Sequence, residues 1–325
     1  MSKWDVDLAL ASLTDEVDEL EGFRHAVLRA RAEGSRIMGF LIAGALILGG
    51  LVAIAADNGV LFLVALPIGL IGGAIVHHSY FAKGAARYRE AFKRDFLAGL
   101  ITKIEPEVSY SPDSGIAEGL FVGSGLFGSR PDRYQSEDLI HGKIGATSVQ
   151  LSEVHAEEKD TRTDSKGQRK THWTTLFRGI FFIADFHKDF RSPVSVMPDV
   201  AERHFGWLGK KLQKLGGNLQ RMENPKFEKM FVVRGEDAVE ARYILTPSMQ
   251  DRLVDLRGRL GKDLRVGFRQ SHVWIAIPNA SNWFEADLQM PAGDRTQTKM
   301  LLGQLKSCFQ IVEELDLNTR IWTKE

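Results

Sequence analysis

Between Ile37 and Ala82 lie 46 residues with a single formally charged side chain, Asp57. So apolar a stretch belongs in a protein core or in a lipid bilayer, and its length discriminates between them. Ile37–Ala56 supplies 20 uncharged residues, which as a helix at about 1.5 Å per residue cross the ~30 Å of a hydrocarbon core. Asp57, Asn58 and Gly59 form a polar break, and Val60 to about Phe81 gives a second segment of similar length. The pattern predicts two transmembrane helices in a tight hairpin. A cleaved signal peptide would have a shorter apolar core nearer the N-terminus.

Orientation follows from the cations at the helix ends. Arg24, Arg29, Arg31 and Arg36 precede the first segment, Lys83, Arg87, Arg89, Lys93 and Arg94 follow the second, and the loop between carries neither Lys nor Arg. Positive flanks stay on the cytoplasmic side, so both termini are expected there. A single cysteine, Cys308, leaves no possible intramolecular disulfide and agrees with a reducing compartment. Small residues recur every four positions, Ala45, Gly49 and Ala53 in one segment and Ala65, Gly69 and Gly73 in the other. Such faces let helix backbones approach closely in lipid, and they suit packing within the hairpin or a homo-oligomer.

The remaining chain reads as segments of different character. Residues 1–36 form an N-terminal cytoplasmic amphipathic helix, and 37–82 the membrane hairpin. Residues 83–135 are a juxtamembrane helix with Tyr88, Phe92, Phe96 and Leu100 every four residues, followed by a structured linker. Residues 136–200 are strand-rich, with strands expected at 138–158, 172–187 and 193–197, and Lys159–Lys170 as a charged hairpin loop. Residues 201–325 mix helices and strands. One helix is capped by Asp199, with Glu202 three residues on. Two others open at Asn224-Pro225 and Thr246-Pro247. Strands follow at 263–269 and 272–277, then a helix from about 295 to 315. The fold class is therefore α+β, a transmembrane helical hairpin followed by a cytoplasmic mixed α+β domain that divides into two lobes near residue 200. Gly179–Asp185 and His272–Pro278 echo each other, as a duplicated lobe would or as two apolar strands do by chance.

Forty-two basic and forty-two acidic side chains give a formal charge of zero, which argues against a general nucleic-acid binder. Gly123-Ser-Gly-Leu-Phe-Gly128 matches G-x-G-x-x-G, but no βαβ unit surrounds it and Arg130-Pro131 interrupts any following helix, so it reads as a turn. Signatures of the familiar enzyme classes are missing and no cofactor is expected. The chemistry candidates are two strand stripes, Glu153/His155/Glu157 and Asp185/His187/Asp189, each on one strand face by period two. Were those strands neighbours, His155, His187, Asp185 and Glu157 would supply the imidazole and carboxylate ligands of a metal site. His172 would pair across from His155. Two basic helix faces, Arg203/Lys210/Lys211/Lys214 and Arg252/Arg257/Arg259/Lys262, suit solvent or lipid headgroups.

Several blocks carry a resemblance: Asp132–Tyr134, Glu137–Gly145, Leu176–Phe190, Phe227–Phe231 and Val239–Pro247. Together they resemble a family of bacterial membrane proteins catalogued only as a domain of unknown function, family 3137. The similarity runs from the membrane hairpin to about residue 288. It implies a bacterial inner-membrane protein with a cytoplasmic domain and supplies no activity or catalytic residues. The leading expectation is a binding or scaffold module whose partners are the lipid bilayer, other membrane or cytoplasmic proteins, or further copies of itself, with no nucleic acid. Two alternatives stay open: a metal-dependent enzyme using the His/carboxylate site, and an accessory subunit of a transporter or envelope complex.

Overall fold

The computed structural model describes residues 3–56, 60–163, 169–186, 188–199, 217–279 and 281–318. The helix expected after Asp199, the Arg203–Lys214 basic face and His187 lie outside them. The chain forms two compact units, Met1–Leu100 with Glu285–Met300, and Ile101–Phe284 with Leu301–Glu325. The class is mixed α+β, long N-terminal helices and a nine-stranded sheet.

The first unit begins with α1 (Val6–Ala11), capped by Asp5, whose carboxylate accepts from the backbone N–H groups of Asp7 and Leu8. α2 (Thr14–Ala55) and α3 (Val60–Ala91) then pack antiparallel. A Cβ at Gly69 would lie 2.7 Å from that of Ala45, and one at Gly73 would lie 2.7 Å from Met38. Closer to the open ends of the pair, Gly84 meets Val27. Gly69 and Gly73 are thus taken up in pairing the two helices, and Gly49 is buried as well. Among the described residues one helix, α2, is long and apolar enough to cross a membrane, with an 18-residue window of mean hydropathy 2.5. The second expected span lies within α3.

Helicity continues past α3 through a π-helical segment, Phe92–Leu97, into α4 (Ala98–Ile104). An α-helix turns every 3.6 residues, so a strict four-residue stripe drifts around it; the wider π turn resets that drift. Tyr88, Phe92, Phe96 and Leu100 are accordingly all buried. Burial also pushes the Tyr88 phenol up to about 12. Residues 285–300 strap this base. Glu285 pairs with Lys93 at 3.1 Å, and Arg295 with Asp7. Glu21 accepts from Ala292 N–H at 2.9 Å and from Arg24 Nη2 and Nε, along one guanidinium edge, at 2.6 and 2.9 Å.

In the second unit the strands are β1 (Val108–Ser111), β2 (Arg133–Ile144), β3 (Thr147–Thr163), β4 (Arg169–Asp185), β5 (Val194–Pro198), β6 (Asn218–Gln220), β7 (Phe231–Gly235), β8 (Arg265–Arg269) and β9 (His272–Pro278). Their order is β1-β2-β3-β4-β9-β8-β5-β7-β6, with every pairing antiparallel. Strands from before and after residue 200 thus share one sheet. The stretch read as one strand over 138–158 is a hairpin, because Gly145, at φ 63°, turns the chain between Ile144 and Thr147. The Lys159–Lys170 loop is shorter than expected, since β3 and β4 stay paired out to Thr163↔Arg169.

The echo between 179–185 and 272–278 has a direct cause. These segments are adjacent central strands, β4 and β9, paired Gly179↔Pro278 to Asp185↔His272. Ile180–Ala184 and Val273–Ile277 are buried on both faces, which selects continuous apolar runs. Around the sheet lie α5 (Glu118–Gly123), α6 (Pro225–Glu228), α7 (Ala238–Ile244), α8 (Pro247–Leu260) and α9 (Arg295–Glu314). Asn224, Asp237 and Thr246 cap α6, α7 and α8 through side-chain oxygens.

Arg24 and Ala292 N–H hold the Glu21 carboxyl at about 2, below its ordinary 4.5. A depressed carboxylate stabilises the fold above its unfolded pKa and loses that contribution as pH falls through the folded value. Glu21→Gln should cost about 1–3 kcal/mol near neutrality. Thermal unfolding of both proteins in detergent should show the difference shrinking between pH 4.5 and pH 2.

Candidate functional site: a polar cleft on the sheet

Period two places alternate residues of three neighbouring strands on one face. Gln135, His155 and Arg178 stand side by side across β2, β3 and β4, and Glu137, Glu153 and Ile180 form the next row. The chain leaving β9 at Pro278 crosses over them. Asn279 N–H donates to the Arg178 carbonyl at 2.9 Å, and Glu153 accepts from the N–H groups of Trp283 at 2.5 Å and Phe284 at 3.1 Å. Glu153 is 8% exposed, so its carboxylate acts as a buried anchor for the 279–284 segment. Between segment and strands is a cleft of about 520 Å³, within the range of small-molecule sites. It is lined by Glu137, Glu153, His155, Arg178, Asn279 and Asn282, among others.

The charges on the cleft are bridged by an amide. Arg178 donates to Asn282 Oδ1 at 3.1 Å, and Asn282 Nδ2 donates to Glu137 at 3.3 Å. At the outer end Arg133 pairs with Glu157 at 3.0 Å and stacks 3.8 Å over the Trp173 ring. On the reverse face Tyr134 O–H donates to the Ile116 carbonyl at 2.7 Å, and burial raises its phenol to about 12.

The candidate metal ligands separate. His155 and Glu157 are neighbours, 3.8 Å from Nε2 to Oε1. Asp185 lies seven positions beyond Arg178, the β4 partner of His155, or about 23 Å along the strand at roughly 3.3 Å per residue. His172 pairs with Asp160 rather than His155, because both strands run further past the sheet than the sequence indicates. Sequence reasoning missed another set. Glu137, Asp138 and Glu153 each place one carboxylate oxygen within 4.8 Å of the others, and these are the residues that could hold a metal ion. The irregularity between Glu137 and Ile140 turns Asp138 to φ 59° and buries it, with Tyr110 O–H donating to it. Glu137-Asp138 shows no local signal for that turn.

Two sequence features have structural uses. The G-x-G-x-x-G stretch follows α5 instead of opening a helix; the Ser124 hydroxyl bonds the Phe121 carbonyl and accepts from Leu126 N–H. The basic α8 face ties down the C-terminal helix. Arg252 reaches the Glu314 carbonyl and Asp316, and Arg259 reaches the Ser307 carbonyl and Glu314.

Residues 175–317 match the model of the family described as "Protein of unknown function (DUF3137)". The match runs from Thr175 within β4 through β9 and α9, and it extends past residue 288. The blocks at Asp132–Tyr134 and Glu137–Gly145 fall outside it. No curated protein matches the chain. A solved structure, the mycobacterial trehalose monomycolate transport factor A, TtfA, is similar at 11% identity and a TM-score of 0.34, covering 72% of this chain and 97% of that one.

Glu153→Gln replaces a charged acceptor of two backbone N–H groups with a neutral one, and should cost about 1–3 kcal/mol. Hydrogen exchange should locate the loss, with Trp283 and Phe284 amides exchanging faster and those of Phe182 and Ile275 in the central strands little changed.

Proposed function

We propose that this chain is a bacterial inner-membrane binding protein, anchored by α2 and α3 with both termini cytoplasmic, whose sheet unit presents the cleft to its ligand or partner. The observation that carries the membrane part is uncovered apolar surface. Phe40 is 77% exposed, Ile54 81% and Ile68 63%, on helices whose small residues already face each other. Water would penalise that surface by about 25 cal/mol per Å² of apolar area; lipid does not. The cation-free loop between cation-rich flanks supports the orientation. Supporting the binding part, the cleft is roomy, polar and framed by side chains held in place by hydrogen bonds.

Membranes from cells producing the full chain should retain it through an alkaline carbonate wash, at the mass of the uncleaved polypeptide. In a Cys308→Ser background, Asn58→Cys should react with a membrane-impermeant maleimide in intact cells, whereas Asp263→Cys should react only after lysis. Release by carbonate, N-terminal cleavage or the opposite labelling pattern overturns the membrane reading. The cleft is tested separately: material captured from detergent extracts by the wild type should be lost with Glu137→Lys, and equal capture by both would remove the cleft from the proposal.

A further inference from the structure

The cleft on the sheet has opposite charge at its two ends. Gln135, His155 and Arg178 form one row across β2, β3 and β4, and Glu137, Glu153 and Ile180 form the next, two residues along each strand and so about 7 Å away. Arg178 meets a neutral amide instead of an acid, donating to Asn282 Oδ1 at 3.1 Å. The His155 side chain beside it is 34% exposed, and the Glu157 carboxylate 3.8 Å from its Nε2 is also paired with Arg133. The first row therefore offers the cleft a guanidinium, an imidazole and an amide, all groups that can donate.

The second row is acidic. Glu137 is exposed, and Asp138 and Glu153 each bring a carboxylate oxygen within 4.8 Å of it and of each other. Asn282 stands between the rows, its Nδ2 donating to Glu137 at 3.3 Å while its Oδ1 accepts from Arg178. Both ends are thus held on one amide, and both open onto the same space of about 520 Å³. Gln135, Glu137, Arg178 and Asn282 are all exposed, which puts them within reach of a solute.

A solute with one sign of charge meets an opposing end. An anion seated on Arg178 lies one row from the carboxylates, and a cation at Glu137 lies as close to the guanidinium. A solute with both signs is attracted at each end in a single orientation. We propose that the cleft binds a small zwitterion, an oxyanion and an ammonium joined by a short chain, with the oxyanion on Arg178, His155 and Gln135 and the ammonium at Glu137. This rests on the reading of the cleft as a ligand site and names the chemistry of its ligand. Row spacing sets the length. Charges as close as those of glycine reach one row at a time, whereas those of an ω-amino acid or of phosphoethanolamine reach both. Carboxylate and phosphoryl oxygens alike match the fork of an arginine.

Calorimetric titration of the full chain in a nonionic detergent tests this, at neutral pH in a buffer that is neither an amine nor a phosphate. Either γ-aminobutyrate or phosphoethanolamine should bind saturably, with a Kd of about 1 mM or below. It should bind at least tenfold more tightly than glycine and than its own single-charge analogues, butyrate and butylamine for the first, phosphate and ethanolamine for the second. Preference for phosphoethanolamine identifies a phosphoryl ligand, and an equal or tighter fit of γ-aminobutyrate a carboxylate. Arg178→Gln should weaken the zwitterion at least tenfold and bring it level with its amine analogue, because only the oxyanion contact is lost. Glu137→Gln should weaken it several-fold, and Lys226→Gln, on α6, should leave it unchanged. No saturable binding of either zwitterion, equal binding of glycine or the analogues, or unchanged affinity in both Arg178→Gln and Glu137→Gln would overturn the proposal. The two readings fail separately: capture from extracts lost with Glu137→Lys but no zwitterion bound overturns this inference and leaves the cleft as a ligand site.

Discussion

The β4–β9 pairing holds the sheet together. On one side of it, β2, β3 and β4 are consecutive hairpins built from local contacts, with β1 added at the edge. On the other, β9, β8, β5, β7 and β6 form a second group, all later in the chain than β4 and paired out of chain order. Among the described strands β4 and β9 form the one pairing between the two groups, so seven residue pairs, Gly179↔Pro278 to Asp185↔His272, make nine strands continuous. The five inner pairs, Ile180↔Ile277 to Ala184↔Val273, are apolar and buried on both faces, which is where area removed from water is largest per residue.

Both faces of the sheet depend on that seam. The cleft exists because β9 ends at Pro278, beside Gly179, and the following chain folds back over β3 toward Glu153. His272 and Trp274 lie at the other end of the same pairing, on the reverse face. A shift of one residue in this register would exchange faces along β9, moving Trp274 and His272 to the cleft side. One set of hydrogen bonds therefore positions two chemically different surfaces.

Local chemistry was legible where capping or periodicity is local. Asn224-Pro225 and Thr246-Pro247 open helices as their side chains and fixed proline φ require. The Glu153/His155/Glu157 stripe shares a face, as period two dictates. What stood opposite that stripe was not legible, because strand register is set by side chains far apart in sequence. Arg178 rather than His172 faces His155, and Asp185 lies at the far end of its strand. The short β1 and β7, the Gly145 turn and the Asp138 bulge carry no distinctive local pattern. They appear only once neighbouring strands exist to receive them.

The strap from Glu285 to Met300 has a consequence for synthesis. The helices it fastens are complete by Leu100, but Glu285, Ala292 and Arg295 leave the ribosome almost two hundred residues later. At about 5–20 residues per second that interval is roughly 10–40 s. Throughout it the nascent protein carries an N-terminal helical assembly lacking its last piece, with the Glu21–Ala292 and Lys93–Glu285 contacts still to form. The unit made first is therefore finished last, and a ribosome stalled before residue 285 would leave it open.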